Sequence, residues 1–293
     1  VVCCCCSCCC SCCKPQGYRL VQYVRSLAVL EGPLGRAYVC AMYADFDWAD
    51  APLSSRSSPV LVGVGYLLMV AILPRFVPEG GFRNLDRILV AHNVFLSFIS
   101  AVLCLGCAVE MWRRVKQENS VDWMFCEDPN TPARGPLYFW SYAFYVSKYY
   151  ELVDTALALL KGSRPPHFGL HVYHHALVPV VVWNWLEYRQ TLQHIGLLWN
   201  TFVHVVMYAY YGLRVLRIPT PWKKWVTRLQ IVQFVSSIGF LLVALQYMWE
   251  RPFGNKCAGQ TSMWVNLAFN MTLLGQFVVV LFSPARVSEK KAS

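Results

Sequence analysis

Charge is what this sequence has least of. Asp, Glu, Lys and Arg make up 14% of its 293 residues, where a soluble domain of this length carries about a quarter. Hydrophobic residues reach 56%. That imbalance argues against an ordinary water-soluble globule and for a chain whose solvent is partly lipid. Acidic residues are the scarcer kind, 16 against 26 Lys and Arg, for a formal net charge of +10. The positive excess sits in short segments between apolar stretches, which suits an anionic membrane face or an anionic substrate. No basic helix or nucleic-acid-binding module is recognisable, so nucleic acid is not an expected partner. No internal repeat stands out.

Usefully spaced cysteines are also few. Of fourteen, nine fall within the first thirteen residues, in a run whose spacing fixes neither a metal site nor a pairing. Residues 1–13 read as a low-complexity head, with lipidated or metal-binding cysteines as the alternative, and they are set aside from fold reasoning. Cys40, Cys104, Cys107, Cys126 and Cys257 remain.

What the chain does have is long apolar stretches. About 20 helical residues cross a bilayer core, and seven stretches of about that length are present, near 59–75, 88–110, 137–160, 168–184, 192–213, 226–248 and 263–283. Between them fall turn formers such as Pro78-Glu-Gly-Gly, Asp128-Pro-Asn, Gly162-Ser-Arg-Pro-Pro and Ile218-Pro-Thr-Pro. The expected fold is therefore an all-α polytopic membrane protein, with seven transmembrane helices enclosing an intramembrane site. Its expected parts are an N-terminal tail over 1–57, a membrane domain over 58–283 and a C-terminal tail over 284–293.

Lys and Arg in short loops set orientation. One side collects Arg75, Arg83, Arg87, Lys161, Arg164, Arg214, Arg217, Lys223, Lys224, Arg228, Arg286, Lys290 and Lys291. The other collects Arg113, Arg114, Lys116, Arg134, Arg189, Arg251 and Lys256. The richer side, with the C-terminus, is expected to face the cytosol, leaving the N-terminal tail in the lumen. The ending Lys290-Lys291-Ala292-Ser293 resembles the dilysine retrieval signal of endoplasmic reticulum membrane proteins, which agrees with that orientation.

Ionisable residues inside membrane spans are costly and read as functional. Here they cluster. The third stretch carries Lys148, Glu151, Asp154 and Thr155, at spacings that place Lys148, Glu151 and Thr155 on one helical stripe. The fourth opens with His171, His174 and His175, three imidazoles on one face. The fifth holds Asn200, His204, Met207, Tyr208, Tyr210 and Tyr211, and the sixth begins with Thr227, Gln230 and Gln233. His92-Asn93 lies in the second. At a rise of 1.5 Å per residue, Asp154, His174, His204, Gln233 and Asn93 fall at one level, roughly 9–14 Å from the cytosolic boundary. Isolated buried histidines usually serve packing, and the two glutamines alone are as well explained by interhelical hydrogen bonds. His167 and His194 sit at the ends of stretches and read as loop or snorkelling residues.

These motifs resemble the very-long-chain fatty acid elongase family (ELO). Its marks, K-x-x-E-x-x-D-T, H-x-x-H-H, H-x-x-M-Y-x-Y-Y and T-x-x-Q-x-x-Q, occur here intact and in order. H-x-x-H-H alone also occurs in desaturases; the four together are specific. The resemblance covers about 45–285. It implies an endoplasmic reticulum 3-oxoacyl-CoA synthase, an acyltransferase that condenses acyl-CoA with malonyl-CoA, releasing CO2 and CoA. This is the first step of the microsomal elongation cycle, and its reductases and dehydratase become the expected partners. No redox cofactor or metal is implied.

Soluble condensing enzymes generally attack with a Cys, and none lies among the polar motifs here. A neutral imidazole can serve instead, with His174 the expected nucleophile and His171 and His175 its orienting or base partners. His204 and Asn200 are candidates to stabilise an oxyanion or enolate. Glu151 and Asp154 are candidates to fix imidazole tautomers, and Lys148 to neutralise them or meet the malonyl carboxylate. Thr155, Tyr208, Tyr211, Gln230 and Gln233 are assigned to substrate binding. So are the basic residues Arg214, Arg217, Lys223, Lys224 and Arg228, as contacts for CoA phosphates. Polyunsaturate-type elongases often carry Gln five positions before the first box histidine; Pro166 stands there, which leans towards saturated or monounsaturated substrates.

The rival readings are a di-iron desaturase or hydroxylase and a seven-helix receptor or channel. The first generally needs about eight histidines in three boxes, and this chain has seven in all. The second does not explain catalytic-type residues gathered at one depth. Finally, Cys126 and Cys257 lie in two loops assigned to the lumen, where disulfides persist. A Cys126–Cys257 bond is expected, with two free thiols as the alternative.

Overall fold

The computed structural model describes residues 43–165, 167–250 and 257–282. The cysteine-rich head, the N-terminal tail to residue 42 with Cys40, Pro166, Arg251, Lys256, Arg286 and the dilysine ending fall outside those residues. Among the described residues all regular structure is helical, apart from one isolated bridge between Asp47 and Arg134. In chain order the helices are α1 Ser57–Ile72, α2 Asp86–Glu118, the short α3 Asp122–Phe125, α4 Gly135–Tyr150 and α5 Val153–Leu160. There follow α6 Phe168–Glu187, α7 Gln193–Val215, α8 Lys223–Glu250 and α9 Gln260–Phe282.

Four of these are long and apolar enough to cross a membrane: α1 with the 3-10 turn that follows it, α2, α8 and α9. Their outward faces show large apolar side chains, Leu61, Leu105, Leu242 and Val279 each being 61–67% exposed. In water such surfaces are aggregation liabilities; against acyl chains they are the appropriate solvent face. The remaining predicted stretches fall on α4 with α5, on α6 and on α7. These helices carry the polar motif residues, which lower their mean hydropathy.

Two local features differ from a reading of smooth helices. The third stretch is not continuous: Glu151 and Leu152 part α4 from α5. There Leu152 N donates to Tyr149 O at 3.3 Å and Asp154 N to Glu151 O at 3.1 Å, three-residue bonds of the tighter 3-10 kind. The second stretch runs on past residue 110 to Glu118, where Arg114 braces the last turns of α2 against Glu118 and Glu127.

Helix α2 packs along α7 more extensively than any other described pair. Ser97 Oγ donates to the Val205 carbonyl at 3.0 Å between them. At one end of the helices an aromatic core gathers Phe46, Trp48, Trp123, Tyr138, Phe144, Tyr145 and Trp183. At that end Cys126 and Cys257 form a disulfide, with Cα atoms 4.9 Å apart. Ala258 N donates to Glu127 O at 2.9 Å, and Thr191 Oγ1 donates to Ala258 O at 2.9 Å. Arg114 holds Glu127 with its guanidinium fork, one arm at 2.8 Å. At the other end Gly81 and Gly162, both at positive φ, lie backbone against backbone, where a side chain on either would collide.

Candidate active site

The break after α4 places three consecutive polar motif positions on different helical neighbours. Lys148 and Glu151, 2% and 3% exposed, form an ion pair at 2.6 Å. The same ammonium donates to Asn200 Oδ1 on α7 at 3.0 Å and lies 4.3 Å from the Phe144 ring. His204 Nδ1 is 3.4 Å from Glu151 Oε1, close enough for charge interaction but without a hydrogen bond. A buried charge needs this kind of enclosure.

Three residues further on, Asp154 faces α2 and α7. Its Oδ1 lies 2.6 Å from His92 Nε2, and its Oδ2 accepts from the Tyr208 hydroxyl at 2.8 Å. Thr155 turns instead to α6 and α1, with Oγ1 2.8 Å from His171 Nε2 and 2.9 Å from the Tyr66 hydroxyl. The box histidines form a run of ring contacts, His171 to His175 at 4.3 Å and His174 to His175 at 5.2 Å. His175 also packs on Tyr66 at 6.3 Å. Four residues on, Pro179 cannot donate to the His175 carbonyl, so the helix bond there is missing.

His171 and His175 thus face α1 and α5. His174, although its ring is 5.2 Å from that of His175, is the box histidine that lines a largely apolar cavity between α4, α6, α7, α8 and α9. Asn200, Gln233, Ser237, Asn266 and Asn270 add polar groups to its lining beside His174, while Val178, Val182, Ile195, Phe240 and Phe269 are among the apolar ones. Trp185 and Asn266 stand towards the disulfide end. The histidine, acid and lysine motifs and Gln233 are therefore brought together by α4 to α8, although they span 86 positions of sequence from Lys148 to Gln233.

The remaining expected substrate contacts lie around that centre. Gln230 Nε2 reaches the Met207 sulfur at 3.6 Å. Tyr211 packs edge-on to Tyr208 at 6.3 Å. Arg214, Arg217, Lys223, Lys224 and Arg228 are all exposed at the end away from the disulfide, with Arg228 over the Trp225 ring at 4.8 Å.

The structure changes the reading of one histidine and supplies the partner of another. His194 is not a loop or snorkelling residue: it is buried in the first turn of α7, edge-on to Tyr138 at 5.4 Å and hydrogen-bonded to Ser141. His92, grouped only with its neighbour Asn93, is the direct partner of Asp154. Among the described residues no group of three or more His, Cys, Asp or Glu side chains stands in a metal-holding arrangement.

The model of the ELO family, described as GNS1/SUR4, matches residues 51–292. The chain belongs to the ELO family. Among similar proteins, fatty acid elongase sre1 of Dictyostelium discoideum is 31% identical over 82% of this chain and 86% of its own length. Fatty acid elongase A of the same organism is 30% identical over 80% and 85%. Very long chain fatty acid elongase 2 of Mus musculus is 29% identical over 69% of each chain. The ELO match contains every residue of the polar centre, from His92 to Gln233, and both cysteines of the disulfide. The chain is thus a multi-pass membrane protein of a fatty acid elongation family.

Proposed function

We propose that this protein is a 3-oxoacyl-CoA synthase that condenses acyl-CoA with malonyl-CoA at His174. The observation that carries the reading is the direction of that imidazole. Of the three box histidines it is the one that lines the largely apolar cavity, together with Asn200. An acyl chain suits the apolar part of such a lining, with its thioester at His174.

In this scheme an imidazole nitrogen of His174 attacks the acyl carbonyl carbon. The C–S bond breaks, and the CoA thiolate takes the proton that the imidazole gives up. Malonyl-CoA then loses CO2, and the electron pair of the broken C–C bond forms a carbanion stabilised as its enolate. That carbon attacks the acyl-imidazole, the C–N bond breaks, and His174 takes back a proton from solvent water. Asn200 and His204 stabilise negative charge on oxygen during both steps. The Lys148–Glu151 pair holds both of them in place. Gln233 lines the cavity beside His174, Gln230, Thr155, Tyr208 and Tyr211 act from around it on the bound substrate, and Arg214, Arg217, Lys223, Lys224 and Arg228 meet CoA phosphates. The chemistry asks for no redox cofactor and no metal, so activity is expected to survive exhaustive chelation.

The architecture completes the proposal. Helix α4 with α5, α6 and α7 join the four apolar helices as further spans, making seven around the site. The basic end faces the cytosol and the disulfide end the lumen of the endoplasmic reticulum. The reductases and dehydratase of the elongation cycle then consume the product. Purified protein incubated with labelled malonyl-CoA and a panel of acyl-CoAs tests the reading. Labelled 3-oxoacyl product with one released CO2 per condensation is expected; absence of product with every acyl-CoA overturns it.

A further inference from the structure

The Asp154 carboxylate is held from two helices at once, and one of its holders lies outside the four motifs. A carboxylate can only accept hydrogen bonds. With Asp154 ionised, His92 Nε2 must carry the proton of the 2.6 Å contact, and Nδ1 is left to accept from the Tyr150 hydroxyl at 3.2 Å. His92 is buried, and its ring also lies 5.3 Å from the Tyr150 ring. The lysine of the same motif is committed elsewhere, to Glu151 and Asn200. Among the described residues, the basic side chain in contact with Asp154 is His92, and as a neutral donor it makes a hydrogen bond there.

The other carboxylate oxygen fixes the Tyr208 hydroxyl at 2.8 Å. Tyr208 is 1% exposed and stands edge-on to the His204 imidazole, with ring centroids 5.4 Å apart at 81°. A continuous set of contacts therefore runs from α2 to the oxyanion-side histidine, in the order His92, Asp154, Tyr208, His204. We propose that His92 is a positioning residue of the condensation, locking Asp154 so that Tyr208 holds the plane of His204. This rests on the condensing-enzyme reading above. Without His92 the carboxylate loses the partner that fixes its rotamer, Tyr208 gains freedom to turn, and His204 is no longer held for the charge it must meet. Misplacement by about 1 Å can slow such a step about a hundredfold.

The test compares kinetics of the full chain with substitutions at 92 and 208. His92→Phe is expected to lower kcat about tenfold or more, with KM for both thioesters within about twofold of wild type. His92→Gln, whose amide N–H reaches nearly as far as Nε2, is expected to restore much of that loss, whereas the shorter His92→Asn is not. In a Tyr208→Phe background, His92→Phe is expected to cost little more, because the two act on one element although they do not touch. Full activity per folded molecule in His92→Phe overturns the proposal, as do multiplying effects at 92 and 208 or failure of His92→Gln to outperform His92→Asn. If wild type itself makes no 3-oxoacyl product, the condensing-enzyme reading fails; if wild type and His92→Phe make it equally, only the role of His92 fails.

Discussion

Trp185 donates its indole N–H to Asn266 Oδ1 at 3.2 Å, tying α6 to α9 where the cavity nears the disulfide end. The same ring stacks on Phe144 and lies 3.0 Å from where a Cβ on residue 196 would stand. Along α6, Trp185 is eleven residues beyond His174, about 16 Å at the helical rise. It is therefore placed as a floor for a chain whose thioester is at His174. Trp185→Ala is expected to move the product distribution to longer acyl chains, and Gly196→Ala to shorter ones. Each methylene gained or lost changes preference about tenfold or more. Competition assays with acyl-CoAs of graded length give the answer; an unmoved optimum in both variants removes Trp185 from this role.

Much of the frame behind that prediction is legible in the sequence. Hydropathy locates the helices because lipid-facing side chains must be apolar, and the i, i+3, i+4 spacing of the histidines puts them on one helix. Hydropathy does not see Glu151 and Leu152 leaving regular α geometry, since two residues barely change a window average. Nor does it see the end of α2, whose charged turns are held by the pairs of Arg114 with Glu118 and Glu127. His92 meets Asp154 across 62 positions, a contact set by the packing of α2 against α5 and α7 and invisible to local spacing. His194 reads as a boundary residue by position, yet Tyr138 and Trp123 cover it.

The disulfide should matter for endurance more than for chemistry. Cys126 and Cys257 are separated by 131 positions, and loop-entropy models assign such a closure about 4–5 kcal/mol, often less in practice. The surrounding bonds among Glu127, Arg114, Thr191 and Ala258 hold the two loops together in addition. Reduction, or the paired change to Ser, is expected to lower the melting temperature in detergent while leaving initial condensation rates within about twofold at low temperature. Alkylation of both thiols without prior reduction contradicts the bond.

The Lys148–Glu151 pair is buried on both sides. Removing one partner leaves the other charge without compensation, a cost of about 3–5 kcal/mol for such pairs. Lys148→Met and Glu151→Met are each expected to melt well below wild type. The double substitution is expected to regain part of the stability, because no lone charge remains, and none of the activity, because Asn200 and His204 lose their support. Differential scanning fluorimetry with product assays separates the two effects. Single variants as stable as wild type show that the pair is not structurally coupled.

Acylation of His174 gives the sharpest test of the chemistry. The two described free cysteines are poor rivals as acyl acceptors, since Cys104 and Cys107 lie on α2 with their thiols towards the Leu198 and His194 carbonyls. Neither is among the residues lining the cavity that receives His174. Acyl-CoA alone, without malonyl-CoA, is therefore expected to release about one CoA per enzyme and leave the acyl group on the peptide containing His174. His174→Ala is expected to lose that burst and at least about a thousandfold in turnover, the scale seen when a nucleophile is removed. Rapid quench followed by peptide mass mapping locates the group. Acyl found on cysteine, or CoA release only when malonyl-CoA is present, defeats the covalent route while leaving a direct condensation at the same cavity open to test.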